Sequence, residues 1–168
     1  MIFLTIGTHE PFDRLVRAVD AWCGVQTSGQ TLFGQITDPG PGGYVPRHFE
    51  WVSRLAPVDY AARFASADLI VSHAGMGSIL TALQAAKPIV ILPRRGHLRE
   101  TRNDHQYTTM TMLGSRPGIH VATDETQLGP VLDRAIADLA NPAAQRISHL
   151  AQPRFTDALR GFLTQGRK

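Results

Sequence analysis

Apolar residues fall along the chain in short runs rich in β-branched side chains: Ile2–Ile6, Thr31–Ile36, Phe49–Val52, Leu69–Val71, Ile89–Leu92 and Gly118–Val121. Each run is too short for a helix and is bounded by turn formers, so each predicts a buried strand. Between the runs, apolar residues recur at helical spacing. Phe12, Leu15, Val16, Val19 and Cys23 share one face, as do Leu128, Val131, Leu132, Ala135, Ile136 and Leu139. Pro11 suits the first turn of the first of these helices, and Asp124 with Gln127 has the spacing of a capping box opening the last. Strand and helix therefore alternate. Parallel neighbours need crossovers, and right-handed crossovers lay helices over a sheet, so the pattern predicts an α/β fold: a Rossmann-like parallel sheet with helices on both faces. Sheets of this kind bind ligands beyond the carboxyl ends of their strands.

Two stretches stand outside the alternation. Thr37–His48, rich in Pro and Gly, predicts a long surface loop that serves as a connection or as a mobile lid. Near the end, residues 153–165 place Phe155, Ala158, Leu159, Phe162 and Leu163 on one helical face. That face either packs on the chain's own sheet or docks into a partner subunit.

Composition narrows the picture. With 168 residues and 43% hydrophobic content, one domain spanning 1–168 is expected. The longest aliphatic run, Ile89–Leu92, is far below a membrane span, so a soluble, intracellular chain is expected. The net charge of +3 arises from 17 basic and 14 acidic residues, too balanced to imply nucleic acid. One local cluster, Arg94, Arg95, Arg99 and Arg102, is either a solvated loop or a surface for an anionic ligand or membrane. The single cysteine, Cys23, is spaced for helix packing.

The candidate chemistry sits where strands end. Leu69–Val71 runs into Ser72-His73-Ala74-Gly75-Met76-Gly77-Ser78, a small-residue turn that leads to a helix through Ile79, Leu80 and Leu83. Glycines allow close backbone approach, and the free N–H groups and dipole of a helix start favour a phosphate. Packing alone also produces such turns, and the spacing matches neither a Walker loop nor a dinucleotide fingerprint. A second turn, Gly7-Thr8-His9-Glu10-Pro11, follows the first strand; His9 is either a proton acceptor or a helix cap. A third polar stretch, from Pro93 to Gln106, follows Ile89–Leu92. Asn103, Asp104, His105 and Gln106 there suit sugar hydroxyls, although Asn103 also suits a helix cap. His73, His97 and His105 fit no compact zinc pattern, so no metal is expected.

In combination, Met1–Thr8 with Pro11-Phe12-Asp13-Arg14-Leu15, then Ser72–Ser78, then Asn103-Asp104-His105-Gln106, resemble the donor-binding half of MurG-type glycosyltransferases, family 28. More specifically the chain is similar to split, two-subunit members: the catalytic subunit of the dolichol-linked N-acetylglucosamine transferase and the PssE-like exopolysaccharide transferases. Pro93-Arg94-Arg95 favours the bacterial type. The resemblance implies half of a GT-B fold and an inverting transfer from a UDP-sugar, with no cofactor beyond that donor. It implies that Gly75, Met76, Gly77 and Ser78 cradle the diphosphate, with His73 and Ala74 also in the donor-binding set. Asp104, His105 and Gln106 would lie by the donor sugar, and Gly7 and Thr8 would line the cleft. Thr81, Arg94 and Asn103 complete the expected donor-binding set, and His9 is the candidate catalytic residue. The implied partner is a membrane-anchored subunit that binds a lipid-linked saccharide and holds the chain at the cytoplasmic membrane. Two departures from the family pattern stand out: Thr81 replaces a glutamate available to both ribose hydroxyls, and His9 replaces glutamine. The alternative reading is a non-catalytic nucleotide-sugar-binding or scaffolding subunit.

Overall fold

The structure is a computed structural model and describes residues 1–7, 10–101, 106, 109–111 and 116–140. Thr8, His9, Arg102, Asn103, Asp104, His105 and the amphipathic stretch 153–165 lie outside the described residues. Six parallel strands form one sheet: β1 (Ile2–Thr5), β2 (Leu32–Gln35), β3 (Glu50–Val52), β4 (Leu69–His73), β5 (Ile89–Leu92) and β6 (Ile119–Val121). Their order is β3-β2-β1-β4-β5-β6, with Ile2 of β1 opposite both Leu32 and Leu69. This is the doubly wound arrangement expected from the alternation.

Among the described residues, four helices with both ends described cover the sheet: α1 (Asp13–Val25), α2 (Pro57–Ser66), α3 (Met76–Gln84) and α4 (Leu128–Leu139). Side chains alternate along β1 and divide the core in two. Ile2, Leu4 and Ile6 pack with Leu15, Val19, Leu128 and Leu132 under α1 and α4. Phe3 faces the other way, against Phe33 and Phe64, in the cluster that includes Ile79 under α3. Every residue of β5 and all but the last of β4 are buried, as a strand covered on both faces requires. Cys23 packs against the first cluster, and burial, then the charge of Asp20, push its thiol up to about 12. It is a packing residue, as its spacing suggested.

Three details differ from the sequence reading. The sequence reading marks no helix at Pro57–Ser66, where α2 forms: Phe64 is its only buried residue and Val58 is 79% exposed, so the inward stripe is narrow, with Tyr60 and Phe64 one turn apart against Phe3. β4 runs on through Ser72 and His73, polar residues that still pair with Ile91 and Leu92. Asp124 caps as expected, accepting from the N–H groups of Thr126 (2.9 Å) and Gln127 (3.2 Å), but it opens a short 3-10 turn, Glu125–Gln127, before α4 begins. No described helix is long and apolar enough to cross a membrane.

The loop at 37–48 is anchored in its second half. Asp20, 1% exposed on α1, accepts from the Tyr44 hydroxyl (2.6 Å) and from the N–H groups of Arg47 (3.0 Å) and His48 (2.7 Å). Asp13 accepts from the Tyr44 N–H at 3.0 Å, and Arg17 stacks over the Tyr44 ring. Burial works to raise the Asp20 carboxyl, but the bonds from Tyr44, His48 and Arg47, with the charge of His48, hold it below its ordinary value. From Tyr44 onward the segment is a strap on α1, not a free lid.

Candidate functional site

The strand order reverses direction between β1 and β4: the chain winds outward from β1 to β3, then returns to β4 and proceeds to β6. Loops leaving these two carboxyl ends diverge to opposite faces and leave a crevice between them. Gly7 forms one wall, at φ +85°, a conformation glycine adopts without strain. Gly75 forms the other wall and is the N-cap of α3.

Between the two glycines lies His73. A Cβ on Gly7 would stand 3.4 Å from its Cε1, and one on Gly75 only 2.1 Å from its Nε2. The imidazole therefore occupies the space that any larger residue at 75 would need. Its Nδ1 lies 3.3 Å from the Ser72 hydroxyl. Burial, then the positive charge of Arg94, push the imidazole down to about 4, so it is neutral at physiological pH. The direction of that bond depends on the imidazole tautomer: where Ser72 donates to Nδ1, the ring proton resides on Nε2, on the side of the glycines.

The start of α3 opens directly into this crevice. No side chain caps it, and the first intrahelical bond is from Ile79 N–H to the Gly75 carbonyl, at 3.2 Å. The N–H groups of Met76, Gly77 and Ser78 precede that bond and have no intrahelical acceptor. A Cβ on Gly77 would meet nothing within 4 Å, so this position borders open space. Ala74 is buried and contributes backbone alone, and Met76 packs against the second core cluster. Thr81, one turn on, is exposed and donates its hydroxyl proton to the Gly77 carbonyl at 2.9 Å.

The third expected element lies beside β4, at the end of β5, and differs from the sequence reading in a specific way. The three described arginines of the expected cluster, Arg94, Arg95 and Arg99, do not face one ligand together. Arg94 is 5% exposed and turned inward: its guanidinium donates to the carbonyls of Ile6 (3.0 Å), Glu10 (2.8 Å), Pro11 (2.8 Å) and Glu100 (3.1 Å). It also lies over the Phe12 ring, 4.5 Å from the centroid. Arg95 reaches the Thr123 carbonyl at 3.4 Å. Arg99 lines a separate hollow of about 690 Å³ with Pro11, Arg14, Arg17, Pro39 and Leu98. Gln106 is joined to the site, its Oε1 accepting from the Arg94 main-chain N–H at 3.0 Å.

Two residues that sequence reasoning did not single out hold this third loop. Arg14 on α1 grips Glu100 through Nε and Nη2, each at 2.8 Å, and reaches Glu125 at 3.0 Å and the Pro93 carbonyl at 2.7 Å. Glu100 in turn accepts from the Arg95 N–H at 2.8 Å. Charges beside the hollow are thus largely paired with one another, whereas the α3 start has no such partner. A pair separated by 86 positions leaves no periodic signal in a single sequence.

The glycosyltransferase family 28 C-terminal domain matches residues 1–158. A UDP-N-acetylglucosamine–N-acetylmuramyl-(pentapeptide) pyrophosphoryl-undecaprenol N-acetylglucosamine transferase of Bacteroides fragilis is 33% identical over 100 residues, covering 56% of this chain and 25% of that protein. The UDP-N-acetylglucosamine transferase subunit ALG13 of Yarrowia lipolytica is 30% identical over 138 residues, covering 77% of this chain and 68% of that one. Among solved structures, the MurG of Acinetobacter baumannii superposes with a TM-score of 0.64 at 17% identity, over 97% of this chain and 49% of that chain. The chain therefore corresponds to about a quarter of one relative, half of another and two thirds of a third.

Proposed function

The chain belongs to glycosyltransferase family 28 through that family's C-terminal domain, and from that membership we propose that it holds a UDP-sugar in the crevice between β1 and β4 and passes the sugar to an acceptor presented by a second polypeptide. The uncapped start of α3 carries this reading. It opens where the strand order reverses, between Gly7 and Gly75, and leaves N–H groups for a diphosphate. In the tautomer protonated at Nε2, the neutral His73 adds a donor on the same side.

In this reading the acceptor hydroxyl attacks the anomeric carbon from the face opposite the diphosphate, and the sugar–phosphate bond breaks with inversion. Negative charge grows on the departing diphosphate. The N–H groups of Gly77 and Ser78 and the dipole of α3 stabilise it in place, without reorganising. Gln106, with Oε1 held by Arg94, turns its amide N–H groups toward the sugar hydroxyls. Thr8, His9, Asn103, Asp104 and His105 lie outside the described residues and belong to the proposed donor site through the family resemblance alone, with His9 the candidate proton acceptor.

Relatives named for UDP-N-acetylglucosamine support that nucleotide sugar as the first donor to try. One is named for a pyrophosphoryl-undecaprenol substrate and another as a subunit. Together they support a lipid-linked saccharide acceptor and a partner subunit; a membrane anchor on that partner and a place in glycan or exopolysaccharide synthesis belong to the proposal. The chain would then sit at the cytoplasmic face of the membrane through that partner, with 153–165 as the docking segment.

Thr81 favours a second reading. Its single hydroxyl is spent on Gly77, so it does not offer two ribose hydroxyls a bidentate acceptor. A nucleotide-sugar-binding subunit without transfer activity would tolerate such a site. Transfer of labelled sugar from UDP-N-acetylglucosamine to a polyprenyl-diphosphate saccharide, by the chain reconstituted with its membrane partner, separates the two. Turnover that falls in Gln106→Ala supports the enzyme; binding without turnover across donors supports the binding subunit.

A further inference from the structure

Arg94 presents an unusual economy of bonds. It is a cation 5% exposed to solvent, yet among the described residues no carboxylate bonds it directly: its four guanidinium bonds there go to main-chain carbonyls. Burying a charge this way is costly, and a Leu or Met would fill the space at less cost. What a hydrocarbon cannot supply is a planar fork that reaches several carbonyls at once.

Those carbonyls have a pattern. Ile6 lies at the carboxyl end of β1, and Glu10 and Pro11 lie just before α1, so the guanidinium closes the two ends of the β1–α1 turn against each other. The fourth, Glu100, belongs to the loop after β5, whose carboxylate is clamped by Arg14. Meanwhile the main-chain N–H of the same residue holds Oε1 of Gln106. One residue thus ties the Gly7 wall of the crevice to Gln106 on its far side.

We propose that Arg94 is a positioning residue: acting from beneath the crevice, it sets the β1–α1 turn and Gln106 relative to each other and does not itself contact the nucleotide sugar. This rests on the donor site proposed above. It replaces the expectation that Arg94 belongs to the donor-binding set, because its Nη atoms bond carbonyls on the protein side. A lysine at 94 would keep the charge while losing the fork, and would reach at most three acceptors from one nitrogen.

The test uses Arg94→Lys, Gln106→Ala and the double variant of the full chain, with its partner if the chain requires it. Amide hydrogen exchange needs no ligand. Arg94→Lys is expected to speed exchange at Gly7, Glu10 and Phe12 by about tenfold or more, with the strands of the sheet unchanged. Titration with UDP-N-acetylglucosamine is expected to show about tenfold weaker binding in Arg94→Lys, with the double variant little weaker than the worse single variant, because both act through Gln106. Unchanged exchange at those amides would overturn the proposal, as would fully additive losses of affinity, which indicate direct contact with the donor. Faster exchange with undiminished affinity would also overturn it, leaving Arg94 a purely structural clamp. If the wild-type chain binds no uridine nucleotide, the donor reading fails on its own account while the exchange result still reports whether Arg94 holds the turn.

Discussion

Gly75 and Gly77 stand two positions apart at the start of α3 and respond differently to an added methyl group. At 75 the new carbon would lie 2.1 Å from His73 Nε2, so the imidazole must leave its place. Gly75→Ala is expected to lower stability by about 1–3 kcal/mol, read by denaturant unfolding. At 77 nothing lies within 4 Å, and Gly77→Ala should hold or raise stability, by up to about 1 kcal/mol, because alanine is the better helix former. His73 gives a pH signature. Its folded pKa, about 4, lies below the ordinary 6.5, so the unfolded chain takes the proton first as pH falls. The stability it contributes is complete above pH 6.5 and declines between 6.5 and about 4, by no more than about 3 kcal/mol. Unfolding curves of wild type and His73→Asn across that window should converge toward the acid end, and parallel curves would contradict the assignment. Much of this wall was legible in the sequence, since small residues between a strand and a helix announce a close approach. Arg94 was not: its partners are main-chain carbonyls, which every residue carries and no motif marks.

At the scale of elements, the strap at 37–48 depends on one buried carboxylate. Asp20→Ala leaves the Tyr44 hydroxyl and the N–H groups of Arg47 and His48 without their acceptor. It is expected to cost on the order of 3 kcal/mol and to expose the strap to limited proteolysis while the sheet persists. Because the folded carboxyl lies below its ordinary value of 3.8, its contribution is present above that pH and lost as pH falls through the lower folded value. This is an acid-side effect, separable from His73. Here the sequence was less informative. Asp20 sits between Val19 and Trp22 on α1 and reads as part of a solvated face, because what buries it is a loop with no periodicity. The strands were legible for the opposite reason. Sheets covered on both faces demand continuous apolar runs, and Ile89–Leu92 is buried throughout. α2 escaped notice because its inward stripe is narrow, with Phe64 its only buried residue and Tyr60 half-buried one turn before it.

At the scale of the whole molecule, six parallel strands in the order β3-β2-β1-β4-β5-β6 create one reversal, and the residues that the resemblance assigns to the diphosphate lie at that reversal. The family match covers residues 1–158 and so includes both walls of the crevice. The central claim is that a uridine diphosphate occupies the crevice against the start of α3. Calorimetric titration of the chain with uridine diphosphate tests it most directly, with adenosine diphosphate as control and Gly77→Val, a substitution into open space, as the blocked site. The account predicts saturable, uridine-selective binding that is lost in a Gly77→Val chain that remains folded. Binding indifferent to the base, or undiminished by valine at 77, would contradict it.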